Sequence, residues 1–304
     1  LPKDLRAVLA QEATVGVLDV DQSQESTDGT AKWAFRDAQG LKFETVMIPD
    51  EDRRTACISS QVGCAMGCGF CRTAQMGFQR NLAAGEIVQQ VAHVRRHLTA
   101  TGQPPLSNIV FMGMGEPLQN LPNVLAAIEI LTDPKGMAMA PRRITVSTSG
   151  LVERIPELSA RFPQVHLAIS LNSSNDVMRN EVMPVNRRHG ITALLAAGDA
   201  WSRATEEPVT YEYVLIGGLT CTPEAARELI ALLRPRNCKV NLIPLNASQD
   251  ISLRAPEERE IEAFESLVKA AGVAVFRRKS KGRDILAACG QLARKEVLRG
   301  PSPS

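Results

Sequence analysis

From Lys32 onward the chain alternates short apolar runs with longer stretches in which apolar residues recur every three or four positions. Two-residue alternation in Lys32-Trp33-Ala34-Phe35-Arg36 and Leu41-Lys42-Phe43-Glu44-Thr45-Val46, around Asp37-Ala38-Gln39-Gly40, predicts a β-hairpin. Residues 55–60, 108–112, 143–147, 165–170, 209–214, 238–243 and 273–277 read as strands. Between them, Ile87, Val88, Val91 and Val94 mark a helical stripe closed by Gly102 and Pro104. Further helices are predicted over 124–131, 152–161, 191–205, 223–233, 256–271 and 285–298. Before the hairpin, residues 1 to about 20 read as a short helix with Leu5, Val8 and Leu9 on its apolar side, running into a polar linker. Strands alternating with helices predict an α/β fold, a parallel sheet covered by helices with right-handed crossovers.

Composition changes this picture little. The 304 residues are 44% hydrophobic and 22% charged, an ordinary balance that leaves ample material for one large core. No apolar run approaches the ~20 residues of a membrane span and no secretory pattern opens the chain, so a cytoplasmic protein without membrane contact is expected. The seven cysteines fit a reducing compartment better than a disulfide framework. A net charge of +2 says little about nucleic acid; that case rests on local clusters such as Arg142-Arg143, Arg187-Arg188-His189 and Arg277-Arg278-Lys279 with Lys281 and Arg283.

The candidate chemistry lies in Cys64-Ala65-Met66-Gly67-Cys68-Gly69-Phe70-Cys71. Thiolates at this spacing can converge on a soft metal centre, and the glycines let the backbone wrap closely around it. A closed zinc site wants four ligands, usually as two separated cysteine pairs, and no second pair follows. An iron–sulfur cube held by three cysteines keeps one iron open for a small ligand. Parallel α/β folds place ligands beyond the C-terminal ends of their strands. Read there in order, the chain offers this loop, then Gly113-Met114-Gly115-Glu116-Pro117, Ser147-Thr148-Ser149-Gly150, Ser170-Leu171-Asn172 and Pro244-Leu245-Asn246. Glu116 can accept from a ligand ammonium; Ser147, Ser170, Asn172 and Asn246 suit a ribose, carboxylate or adenine. His93 and His97, one helical turn apart, lack the glutamate of a zinc-protease motif and read as a solvated face; Cys221 and Cys238 read as packing residues.

The three-cysteine loop resembles that of the radical S-adenosylmethionine (SAM) superfamily. With Cys57 before it, Gly113-Met114-Gly115-Glu116-Pro117-Leu118, Ser147-Thr148-Ser149-Gly150 and Asp284-Ile285-Leu286-Ala287-Ala288-Cys289-Gly290-Gln291-Leu292, the chain resembles the RlmN/Cfr-type RNA adenine methyltransferases from about residue 30 to 298. The resemblance implies a partial (β/α)6 barrel over residues 51–298, a remnant of an N-terminal accessory region with the hairpin over 1–50, and a tail over 299–304. It implies a 4Fe–4S cluster on Cys64, Cys68 and Cys71, and SAM near Gly115, Glu116, Ser147, Ser170, Leu171, Asn172 and Asn246. By the same resemblance Cys289 takes a methyl group from one SAM, a second SAM yields a radical that activates that methyl toward adenine, and Cys57 closes a disulfide with Cys289 to free the product. Glu44 matches the family's proton acceptor, with an exposed strand carboxylate as the plain alternative. The implied partners are 23S rRNA, with tRNA as a further substrate, and a reducing donor such as flavodoxin. Carbon 2 of adenine is the expected target, carbon 8 the rival within the family, and a non-catalytic metal-stabilised RNA-binding protein the rival outside it. Two departures stand out: Asn172 replaces a frequent His, and Asn246-Ala247-Ser248-Gln249-Asp250 replaces a Pro/Gly-rich loop.

Overall fold

Each predicted apolar run pairs beside the next one in the chain, because a helix between them returns the backbone to the same end of the sheet. The computed structural model describes residues 2–12, 18–37, 39–246 and 251–292. In chain order the strands are β1 (Asp19–Glu25), β2 (Ala31–Arg36), β3 (Lys42–Asp50), β4 (Arg53–Cys57), β5 (Gln61–Gly63) and β6 (Phe78–Asn81). They continue as β7 (Asn108–Phe111), β8 (Ile144–Thr148), β9 (His166–Ser170), β10 (Val209–Leu215), β11 (Cys238–Pro244) and β12 (Ala274–Arg277). One ten-stranded sheet runs β1-β2-β3-β4-β7-β8-β9-β10-β11-β12, and β5 and β6 form a separate ribbon. Pairing is antiparallel from β1 to β4 and parallel from β4 to β12. The parallel part is a partial (β/α)6 barrel with β12 as one further strand, and the hairpin extends its sheet.

Six helices lie at the crossovers: Ala84–Ala100, Leu121–Thr132, Ile155–Arg161, Ile191–Thr205, Pro223–Leu233 and Glu258–Ala270. Their apolar stripes and the outward faces of the strands form one core, in which Ile87, Val91, Val94, Leu121, Ile128, Leu194, Leu229 and Phe264 are all buried. The hairpin joins that core through Trp33, whose ring meets His93 and His97 edge-on at 5.0 and 4.9 Å. The two histidines are therefore a packing surface and not the solvated face expected of them. Burial, with Arg96 and His97 nearby, pulls His93 down to about 4.

Three other expectations are corrected. The N-terminal helix is described over Lys3–Glu12, and the polar stretch from Asp19 forms β1, which runs Asp-Val-Asp-Gln-Ser-Gln-Glu, where the end of the helix and the linker were expected. Pairing with β2 decides this, aided by ion pairs from Asp21 to Arg36 and Lys42, because an edge strand can face water on most of its length. The predicted strand over 55–60 ends at Cys57, and short elements appear where none was expected: the β5–β6 ribbon and a helix over Asp176–Val182. That helix is capped by Asn175, whose side chain accepts from the Met178 N–H at 2.9 Å. Over 285–292 the chain turns instead of entering a helix, since Leu286 and Gly290 both hold positive φ. The rest of that predicted helix, the tail and residues 247–250 of the departing loop lie outside the described residues.

Candidate active site

The cluster loop leaves β5 and enters the helix Arg72–Gln75, with Cys71 at its N-cap. Gly63 makes this departure possible: at φ +73° an added Cβ would stand 1.8 Å from the Gly77 carbonyl oxygen. The Cys64 N–H donates to that same carbonyl, Gly69 N–H to Val182 and Cys71 N–H to Cys68, at 2.9–3.1 Å. All three cysteines face one cavity of about 170 Å³. Burial and mutual repulsion push Cys64 up to about 12 and raise Cys68 and Cys71 as well. Buried thiols of this kind become thiolates only against a compensating positive centre. Among the described residues no three His, Cys, Asp or Glu side chains close on a single ion. Thiols spread around one wall instead suit a 4Fe–4S cluster, in which each cysteine binds a different iron, so the donor set fits that group.

The strand ends supply the rest of the wall. Gly115, Glu116, Ser147, Ser170, Asn172 and Asn246 all line the cavity, on one side of the sheet as the topology required. Gly115 is needed because a Cβ there would fall 2.5 Å from Gln61 Cβ. Glu116 is less free than expected. One carboxylate oxygen accepts from Leu118 N–H, and the other from Ser149 N–H and Oγ, both at 2.7 Å. Burial raises its pKa despite these donors. Asn172, at φ +55°, accepts from Val214 N–H and donates to Met183 Sδ. Leu171, between Ser170 and Asn172, buries its side chain in the core, and its carbonyl accepts from Arg179 Nε at 2.8 Å.

Arg179 was not legible in the sequence. Fully buried, it also donates to the carbonyls of Ser149 and Ser170 and to Asn186 Oδ1, tying the ends of β8 and β9 into one rim. Burial pulls its pKa down to about 10. No motif announces such a residue, since its partners are backbone carbonyls.

A second, larger cavity of about 580 Å³ opens within the barrel below the first. Thr55, Asn108, Thr145, His166, Thr210 and Lys239 line it, a polar layer where closed barrels pack branched apolar residues. The two cavities share Met112, Glu212, Ile243, Asn246, Arg278 and Cys289. Cys57 faces the second cavity beside Cys289, and both are free thiols. Burial, then the Cys289 sulfur, pushes Cys57 up to about 12, with Arg278 and the Met112 N–H acting against them.

Cys289 reaches this junction on a tethered loop. Asn246 Nδ2 donates to its carbonyl at 3.3 Å and Arg72 N–H to that of Gly290 at 2.9 Å. Asp28 accepts from Gly282 N–H, and Asp284 from Ser26 Oγ. Glu44 is 2% exposed, pairs with Lys32 at 3.2 Å and is not among the residues that line either cavity. Lys32 also donates to the Leu286 carbonyl, so this pair sits under the Cys289 loop, and the exposed-carboxylate alternative fails. Of the basic run, Arg277 pairs with Glu258, Arg278 turns to the junction, and Lys279 and Lys281 line the second cavity.

Residues 58–233 match the family model described as the Radical SAM superfamily. The chain is 47% identical over 292 residues to a dual-specificity RNA methyltransferase RlmN of Geotalea uraniireducens (strain Rf4), covering 96% of this chain and 83% of that one. It is 45% identical over 303 residues to the RlmN of Syntrophotalea carbinolica, covering 99% and 80%. A crystal structure of a radical SAM methyltransferase from Sphaerobacter thermophilus superposes with a TM-score of 0.92 at 46% identity, over 96% of this chain and 86% of the other.

Proposed function

The chain belongs to the radical SAM superfamily and, within it, to the RlmN methyltransferases, and from that premise we propose that it methylates carbon 2 of an adenosine in 23S rRNA, and in tRNA, through Cys289. It is a SAM-dependent RNA methyltransferase. The observation that carries the finer reading is the junction: Cys57 and Cys289 stand together where the cavity with the cluster loop meets the cavity inside the barrel.

Cys64, Cys68 and Cys71 would hold the 4Fe–4S cluster, leaving a SAM between the cluster loop and the strand ends at Gly115, Ser147, Ser170, Asn172 and Asn246. When bound, that pair supplies a reductively generated radical, which needs an external electron donor; a flavodoxin fits the role. The protein's own residues do the rest. Cys289 carries the methyl group to the junction, and its loop, held by backbone hydrogen bonds to Asn246 and Arg72, keeps the sulfur aimed there. Burial holds Cys57 as a protonated thiol, so it does not compete early as a nucleophile; on losing that proton it bonds to the Cys289 sulfur as the bond from that sulfur to the RNA-linked carbon breaks, and the carbon takes the electron pair and a proton. Glu116, engaged by Ser149, shapes the strand ends and supports the SAM site. Among the described residues no helix is long and apolar enough to cross a membrane, and we read the enzyme as cytoplasmic.

The test is Cys57→Ala, which should trap RNA on the enzyme as a protease-sensitive adduct through Cys289. Wild-type product should be 2-methyladenosine by chromatography and mass spectrometry. Turnover by the variant with no adduct would remove the resolving role, and 8-methyladenosine would assign the carbon-8 activity instead.

A further inference from the structure

The junction holds a buried carboxylate that the roles above leave unused. Glu212 lies in β10 opposite Asn241 of β11 and is 4% exposed. Its Oε1 accepts from Asn241 Nδ2 at 2.9 Å. Among the described residues its buried Oε2 has no hydrogen-bond partner, and Arg278 Nη1 forms an ion pair with it at 3.6 Å, beyond hydrogen-bonding distance. Both terminal nitrogens of Arg278 reach Met112 Sδ at 3.5 Å, a weak acceptor. Glu212 and Arg278 thus present a strong acceptor beside a strong donor, both under-used, on the wall shared by the two cavities next to Cys289. A buried carboxylate oxygen without a donor is costly, and such a vacancy in a native cavity points to a donor arriving with a ligand.

We propose that Glu212 and Arg278 together read the target base. Glu212 Oε2 accepts from the exocyclic 6-amino group of adenine, and Arg278 donates to the ring nitrogen beside it. Adenine offers a donor next to an acceptor along that edge, whereas guanine sets its O6 lone pairs against the carboxylate. The inference rests on the reading that an RNA adenosine is the substrate, and it adds which residues select it. The adenine of SAM carries the same edge, but Glu212 also lines the second cavity, with Cys57 and away from the cluster loop, which favours the RNA base.

The test changes one atom group in the RNA. Short target RNAs carry either adenosine or purine ribonucleoside, which has hydrogen in place of the 6-amino group and keeps carbon 2. Wild-type enzyme should methylate the purine RNA at least about tenfold less efficiently in kcat/KM, the loss expected for a missing base contact. In Glu212→Gln the amide oxygen still accepts from Asn241 while an amide nitrogen replaces Oε2, so the adenosine-to-purine ratio should fall toward 1. Equal wild-type rates on the two RNAs would overturn the proposal without needing any variant. An unchanged ratio in Glu212→Gln with weakened SAM binding would also overturn it and assign the carboxylate to SAM. Wild-type enzyme silent on the adenosine RNA would break the functional reading itself, a result distinct from equal rates on both RNAs.

Discussion

The two cysteine-bearing loops that meet at the junction are built in opposite ways. The cluster loop is local. Its thiols fall within eight residues, and its hydrogen bonds run to the ribbon that flanks it, to Val182 and to itself. The Cys289 loop makes three backbone bonds of its own within residues 282–291, and it is tied besides by distant ones, to Asp28, Ser26, Lys32, Arg72 and Asn246. A metal-holding loop needs fixed thiols, which short-range backbone geometry provides. On the role proposed for Cys289, whose sulfur takes up a methyl group and then delivers it, several separate, individually weak tethers, each worth about 1 kcal/mol, serve better.

The contrast can be broken most severely at the cluster. Cys68→Ala should leave anaerobically reconstituted protein without a SAM-cleaving 4Fe–4S centre, read as iron content and 5′-deoxyadenosine formation. Cys289→Ala should retain both while losing RNA methylation. Full SAM cleavage by Cys68→Ala would end the assignment.

Next in size is Gly63→Ala. The left-handed backbone alone costs about 1–3 kcal/mol in a non-glycine residue, and the new Cβ would also strike the Gly77 carbonyl. Iron incorporation should drop and the urea midpoint should fall, with protection of residues 282–292 from hydrogen exchange little altered. Normal iron loading in this variant would show that the cluster loop is not set by its own backbone.

The smallest effect belongs to a single tether. Burial opposes ionisation of Asp28, but hydrogen bonds from Thr30, Gly282 and Ser26 outweigh it and hold its pKa down at about 2. A depressed carboxyl stabilises the fold above its unfolded value and loses that contribution as pH falls through about 2. Pepsin should therefore cut near residues 282–292 increasingly as pH falls from about 4 to 2. Asp28→Asn should show that susceptibility already at pH 4, while its iron content stays at the wild-type level. Since the turn is exposed, the shift should amount to about 1 kcal/mol or less. Identical cutting profiles would mean the other tethers carry the loop.

Much of this protein is determined by sequence acting over short range. Apolar periodicity set the strands of the large sheet from β2 onward and the six crossover helices, because each of these elements buries one face and its neighbours in sequence become its neighbours in space. Spacing alone marked Cys64, Cys68 and Cys71, and strand ends marked Gly115, Ser147, Ser170, Asn172 and Asn246, since a parallel sheet delivers its C-terminal ends to one side. Tertiary structure alone decided the rest. β1 is a strand only because β2 offers it a partner. His93 and His97 are half-buried only because Trp33 arrives from another element. Arg179 is fixed by three carbonyls at the ends of two strands, Glu44 is held by Lys32, and Glu212 meets Arg278 only when β10 and the end of β12 close around one space. A hydrogen bond or an ion pair has no period along the chain, so residues whose role lies in distant partners leave no trace until the fold brings those partners together.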